Sequence, residues 1–260
     1  MILAIDTGNT HIVMGCISES GEISEIIRME TNQSKTAHEY AADMLQIFSL
    51  VGVDPGRIQG AVISSVVPPV TITLRNAVRM ITGLDALILG AGVKTGLDIA
   101  IDDPGTIAPD FVANAVAAKE YYKHPCIIVD LGTATTVTVV DARGRYIGGA
   151  IMPGVDISMN ALTTGTSLLP NIEIEVPAKT IASNTIDSMK SGIIYGSAGA
   201  LDGVIDRFKE VLGGQATVVA TGSLAQTICP HCRHEITIEE DLMMKGLFLI
   251  WKKNQIRRRK

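Results

Sequence analysis

The chain has 260 residues, 47% of them apolar and 19% charged, with a net charge of −5. Such a chain can bury a sizeable core in one large domain or in two of roughly 100–150 residues, which excludes a disordered protein. The negative balance argues against nucleic acid as the main ligand, because a phosphate backbone calls for a basic face.

The chain opens as a three-stranded meander over residues 2–6, 11–17 and 22–30, with turns at Gly8-Asn9 and Ser20-Gly21. Asp6 interrupts the first apolar run, so the start lacks the pattern of a signal peptide. No stretch suits a bilayer span, and four cysteines fit a reducing compartment, so the expected location is the cytoplasm. A helix is expected over 37–50, a short buried strand over 60–64, and a helix from Pro68-Pro69 to about 81. Those prolines suit a first turn, whose N–H groups have no intrahelical partner. Residues 84–89 read as a strand, 90–105 as a Gly/Asp/Pro-rich connection, and 109–122 as an alanine-rich helix.

The meander then recurs over 126–130, 135–141 and 146–152, with a turn at Arg143-Gly144. Helices are expected over 157–162 and 184–211, and a strand over 215–220. A short helix starts at Leu224, and a last one covers 239–251, where Glu239-Glu240-Asp241 would complement the N-terminal dipole. Cys16 and Cys126 read as buried fillers. Cys229-Pro230-His231-Cys232 is a lone C-x-x-C with only His234 close by as a further zinc ligand, so an incidental loop is the better reading. The basic run 257–260 reads as a solvated tail.

The doubled meander is the informative feature. Ile5-Asp6-Thr7-Gly8-Asn9-Thr10 and Val129-Asp130-Leu131-Gly132-Thr133-Ala134 stand about 124 residues apart in matched settings. Each is a strand ending in an aspartate, then a glycine turn, then hydroxyl or amide residues. One copy would pass for a plain turn. Two copies point to duplicated halves and a phosphate compound held in a cleft. The glycines let main-chain N–H groups approach a phosphate. Asp6 and Asp130 would repel it, and their useful role is to hold a cation or its waters against the phosphate oxygens. Thr217 to Leu224 adds a buried strand and a small-residue turn suited to a nucleoside.

With these residues in view, the chain resembles the sugar kinase, actin and heat-shock ATPase superfold. Within it, the resemblance is to the type III pantothenate kinases. It rests on Asp6 to Val13, Asp130 to Thr136, Gly148-Gly149-Ala150-Ile151-Met152-Pro153-Gly154, Leu168-Leu169-Pro170, Asn184-Thr185 and Lys245-Gly246-Leu247. The implied fold class is α/β, with two duplicated actin-like (ribonuclease H-like) halves, 1–120 and 121–260, around a central cleft. The implied reaction is ATP-dependent phosphorylation of pantothenate at its 4′-hydroxyl, the entry to coenzyme A synthesis, by a homodimer.

The resemblance further implies ATP at Asp6, Thr7, Gly8, Asn9, Thr10, His11, Ile12, Val13, Gly132, Thr133 and Gly222. It implies pantothenate at Ile101, Ile107, Ala108, Pro109, Asp110 and Thr185, with Asp110 as catalytic base. Asp130 would hold a potassium or ammonium ion, and magnesium would come with ATP. A carboxylate starting a helix can accept the substrate proton, or can simply favour the helix N-terminus. The chain departs from the family's pattern on the acceptor side. Ile101, Ala108 and Phe111 stand where the pattern has Tyr, Gly and Arg, and Ala182-Ser183 replaces a Gly. Lys94 and Arg145 are basic residues that could compensate. The same residues also suit a same-fold kinase for another small hydroxyl compound, or a nucleotide-binding protein without turnover.

Overall fold

In the computed structural model, residues 1–255 are described, and the basic run 257–260 lies outside them. The chain forms two compact units. One combines Met1–Gly96, Asp103–Ala117 and the chain from Leu242; the other combines Leu97–Asp102 and Ala118–Asp241. Against a single cut after residue 120, residues 97–102, 118–120 and the chain from 242 fall on the other side.

The first unit holds β1 (Ile2–Thr7), β2 (His11–Ile17), β3 (Ile23–Glu30), β4 (Gly60–Ser65) and β5 (Leu87–Ile88) in the order β3-β2-β1-β4-β5. The meander β1-β2-β3 is antiparallel, whereas β4 and β5 add in parallel. Two helices supply the crossovers. In α1 (Ala37–Val51), Thr36 and Glu39 form a reciprocal capping box, and Gly52 ends the helix at φ 73°. In α2 (Pro68–Thr82), the two prolines start the helix and Gly83 ends it at φ 72°. Alternate strand residues Leu3, Ile5, Met14, Ala61 and Ile63 pack against Tyr40, Met44 and Phe48 of α1 and Leu74 and Val78 of α2.

Helix α3 (Pro109–Tyr121) begins in the first unit and ends in the second. The second sheet runs β11-β10-β7-β8-β9-β6. Its strands are β6 (Asp98–Ile99), β7 (Cys126–Leu131), β8 (Ala134–Val140), β9 (Arg145–Pro153), β10 (Thr217–Thr221) and β11 (Thr237–Ile238). β6 pairs with β9, which brings 97–102 into this unit. The duplication is visible in burial. β1 and β7 each have six residues, and in each the strand is buried except at its fifth residue, Asp6 or Asp130. Ile127, Val129, Val137 and Val218 pack on α4 (Val155–Gly165) and α5 (Thr185–Val211) through Met159, Ile194, Leu201 and Ile205.

The C-x-x-C segment follows α6 (Ala225–Ile228) as a 3-10 turn, Cys229–His231. It is held by Asp202 of α5, 8% exposed, whose carboxylate accepts the N–H groups of Arg233 (2.9 Å) and His234 (3.3 Å). Asp202→Ala is expected to leave these part-buried donors without their charged acceptor and lose about 1–2 kcal/mol, read as a fall in melting temperature. All four cysteines are free thiols, and burial pushes Cys16 up to about 11 and Cys126 up to about 12.

Helix α7 (Leu242–Gln255) starts three residues later than the sequence suggests. Glu239 instead donates its N–H to the Ala220 carbonyl (2.8 Å), continuing the sheet edge, and the acidic run precedes the helix. α7 covers the face of the first sheet opposite α1 and α2. Gly15 of β2 leaves room for Met244 and Gly60 of β4 for Trp251, while Gly246 lies directly on the main chain of Ala113 in α3. That packing places α7 in the first unit. Among the described residues, no helix is long and apolar enough to cross a membrane.

Candidate active site

The first turn is Gly8-Asn9-Thr10, between β1 and β2. The Gly8 N–H donates to the His11 carbonyl (2.9 Å) and closes it. Thr31 fastens it from β3's end, with its N–H on the Thr10 carbonyl (2.9 Å) and its hydroxyl on the Gly8 carbonyl (2.7 Å). A Cβ on Gly8 would stand only 3.3 Å from the His11 oxygen. Asn9, Thr10 and His11 are exposed. Ile12 is wholly buried in the core, so only its main chain can serve the site. Thr7 shares the strand face of Leu3 and Ile5, and its hydroxyl is buried without a hydrogen-bond partner. Asp6 faces the other way, half-buried, with Val13 of β2 and Ser64 of β4 beside it in register. Ser64 is wholly buried and its Oγ has no partner. Sequence alone marks Ser64 only as a strand end, since its place beside Asp6 depends on pairing across about 58 residues.

In the same unit, Asp103 shapes the approach to α3. Its carboxylate accepts the Gly105 N–H (3.1 Å), and its carbonyl accepts the Thr106 hydroxyl (2.8 Å). Ile107, Ala108, Pro109 and Asp110 follow, all half-buried. Asp110 lies in the first turn of α3, and its Oδ1 is buried with no hydrogen-bond partner. Burial pushes its carboxyl above the ordinary carboxylate range, against the opposing pull of the Phe111 and Asp110 main-chain N–H groups. A carboxylate so placed is a proton acceptor with its acceptor atom uncommitted.

In the second unit, Gly132-Thr133 joins β7 to β8. Asp130 is half-buried, with Thr136 of β8 and Thr221 of β10 beside it in register. Gly154, the N-cap of α4, lies so close to the Thr133 carbonyl that no side chain fits. Gly222 follows Thr221 at φ +96°, and a Cβ there would fall 2.6 Å from the Leu131 carbonyl. The turn at Gly222 is thus built directly on the main chain of Leu131, at the end of β7 where the Gly132-Thr133 turn begins. Thr185 is the exposed first residue of α5, capped by Asn184, whose Oδ1 accepts the Asp187 N–H (2.9 Å). Ile101 also belongs to this unit, beside Gly148. Among the described residues, no three His, Cys, Asp or Glu side chains gather as a metal-ion ligand set.

The profile of the type III pantothenate kinases matches residues 2–207. The chain belongs to this family. The type III pantothenate kinase of Brevibacillus brevis is 42% identical over 260 residues, covering 98% of this chain and 100% of the relative. That of Koribacter versatilis is 39% identical over 269 residues, covering 100% and 98%. Among solved structures, component A of the Acidaminococcus fermentans (R)-2-hydroxyglutaryl-CoA dehydratase matches with TM-score 0.57 at 14% identity, over 100% of this chain and 99% of that one. That last likeness bears on fold alone, and the fold is the two-sheet α/β arrangement of the sugar kinase and actin-like ATPases.

Phe111, the neighbour of Asp110, is a half-buried apolar side chain. Arg145 is committed elsewhere: its guanidinium donates to the Asp141 carboxylate at 2.9 and 2.7 Å.

Proposed function

We propose that this protein uses ATP to phosphorylate pantothenate at its 4′-hydroxyl, the entry step of coenzyme A synthesis, in the cytoplasm. The observation that carries the reading is Asp110, a carboxylate with raised proton affinity and an unpartnered buried oxygen, at the position of the family's base. Asp110 takes the hydroxyl proton as the phosphoryl group arrives. The turns at Gly8-Asn9-Thr10 and Gly132-Thr133 offer main-chain N–H groups and hydroxyls to the ATP phosphates, and the Gly222 turn receives the nucleoside. Asp130, with the Thr136 position beside it, is a hard-oxygen environment that fits a potassium or ammonium ion. Such an ion supplies positive charge that offsets the phosphates; magnesium arrives on ATP.

The family implies a homodimer, and singly exposed apolar side chains of the second unit are in keeping with a second copy as occupant. Ile151, Leu168 and Ile181 are 70%, 91% and 90% exposed within one stretch of the second unit, with Ile157 and Ile186 nearby in the chain.

The test is ADP release coupled to pantothenate, with and without potassium. Pantothenate-dependent ADP that rises with potassium is expected; none at millimolar ATP would overturn the reading. Ile101, Ala108 and Phe111 favour one second reading, a kinase for another small hydroxyl acid, which a panel of such acceptors would reveal. Phe111→Arg is expected to lower the apparent KM for pantothenate about tenfold through a charge-assisted bond to its carboxylate. An unchanged KM would show that the acceptor carboxylate is bound elsewhere.

A further inference from the structure

Ser64 is the penultimate residue of β4, level with Asp6, the penultimate residue of β1, and the two strands run parallel in register, so both side chains leave the same face of the sheet. Neighbouring strands stand about 4.7–4.9 Å apart, which sets the side chains one water or one ligand oxygen from each other. Both residues lie at the carboxyl ends of their strands, where open α/β sheets receive ligands. Ser64 is 0% exposed, yet its Oγ has no hydrogen-bond partner. Buried hydroxyls without a partner are rare in native proteins, and each calls for an explanation.

The duplicate half supplies a comparison. Thr221 occupies the matching place beside Asp130, on the parallel neighbour of the strand that carries the aspartate. Its hydroxyl is satisfied inside the protein, donating to the Glu240 carbonyl at 3.4 Å. The hydroxyl at this position is thus bonded in one half and without a partner in the other. Thr7 also has an unpartnered hydroxyl, but it faces the apolar side of the sheet, away from Asp6.

We propose that Ser64 is a positioning residue of the nucleotide site, its hydroxyl bonding a hydration water of the divalent cation that ATP carries, alongside the Asp6 carboxylate. The proposal rests on the reading that the first turn binds ATP. It assigns Ser64 to the metal-bound form of the nucleotide rather than to the nucleotide as such. Asp6 provides the charge that attracts the hydrated cation, and Ser64 fixes where its water shell sits.

The experiment is calorimetric binding of a non-hydrolysable ATP analogue, with and without magnesium, to the wild-type chain, Ser64→Ala and Ser64→Cys. Magnesium should tighten binding to the wild type. Ser64→Ala should lose about three- to tenfold of affinity with magnesium and stay within about twofold without it. Ser64→Cys keeps the side chain's shape but is a weak donor, so it should follow Ala rather than the wild type. The unliganded melting temperature of Ser64→Ala should be unchanged or higher, since no internal bond is lost. An equal magnesium response in Ser64→Ala and wild type, or no response in the wild type, would overturn the proposal. So would a large fall in melting temperature with both affinities reduced, because that marks a structural hydroxyl. Failure of the pantothenate reading shows separately, as silence of the wild-type ADP assay, and leaves these binding comparisons standing.

Discussion

Asp110→Asn is expected to reduce turnover by about 10²–10⁴-fold, the range for loss of a positioned general base. Nucleotide affinity should stay within about threefold, because the amide alters the acceptor for a proton and not the phosphate turns. The wild-type rate should fall on the acid side as pH drops through the Asp110 value, which burial places above the ordinary carboxylate range. That limb should vanish from the residual activity of the variant. Stability should move the other way. A carboxyl whose proton affinity is raised in the folded protein contributes stability that is complete below the ordinary carboxylate value and is lost as pH rises through the folded value. At neutral pH the charged form is therefore a liability to the fold, and the neutral amide removes it. Asp110→Asn should melt higher than wild type at neutral pH, with the gap closing on acidification. A near-full rate in the variant would defeat the base assignment, and a lower melting temperature would show that the carboxylate is structurally bonded.

The parts of this fold that announce themselves in the sequence carry local chemistry. Thr36 and Glu39, Gly52, Gly83 and Asn184 are end signals for α1, α2 and α5, and those helix ends fall within a residue or two of expectation. Both meanders were legible because three consecutive apolar runs with glycine turns have few other solutions. β6 and β11 were not, since two-residue strands have no period to detect and form only against β9 and β10. α7 starts later than its acidic run suggests because Glu239 is drawn to the edge of the sheet, a long-range bond that outweighs its preference for a helix N-terminus. The site shows the same limit. A contiguous motif such as Asp6 to Val13 suggests one continuous ligand surface, whereas strand alternation sends Thr7 and Ile12 into the core and keeps Asp6 on the other face. Ser64 joins Asp6 through register, which no local pattern encodes.

Gly222→Ala is expected to be strongly damaging at the turn proposed to receive the nucleoside. Two effects combine there. The main chain sits at φ +96°, a region that side chains rarely adopt, and the new Cβ would fall 2.6–2.7 Å from the N, C and O atoms of Leu131. Backbone atoms of a central strand cannot step aside as a flexible side chain could. Strain of about 1–3 kcal/mol and overpacking of about 1–3 kcal/mol are expected together. For a chain of this size each kcal/mol lowers the melting temperature by about 2–4 °C. Gly214→Ala separates the two effects. Gly214 has φ +95°, but a Cβ there meets nothing within 4 Å, so that variant carries the conformational strain alone. Thermal unfolding should show Gly222→Ala falling well below Gly214→Ala. Binding of an ATP analogue should weaken at least tenfold for Gly222→Ala and stay unchanged for Gly214→Ala, because only the first displaces Leu131 and with it the turn at Gly132-Thr133. Equal melting temperatures would mean that β10 can shift away from β7, and equal affinities would mean that the nucleoside does not use this turn.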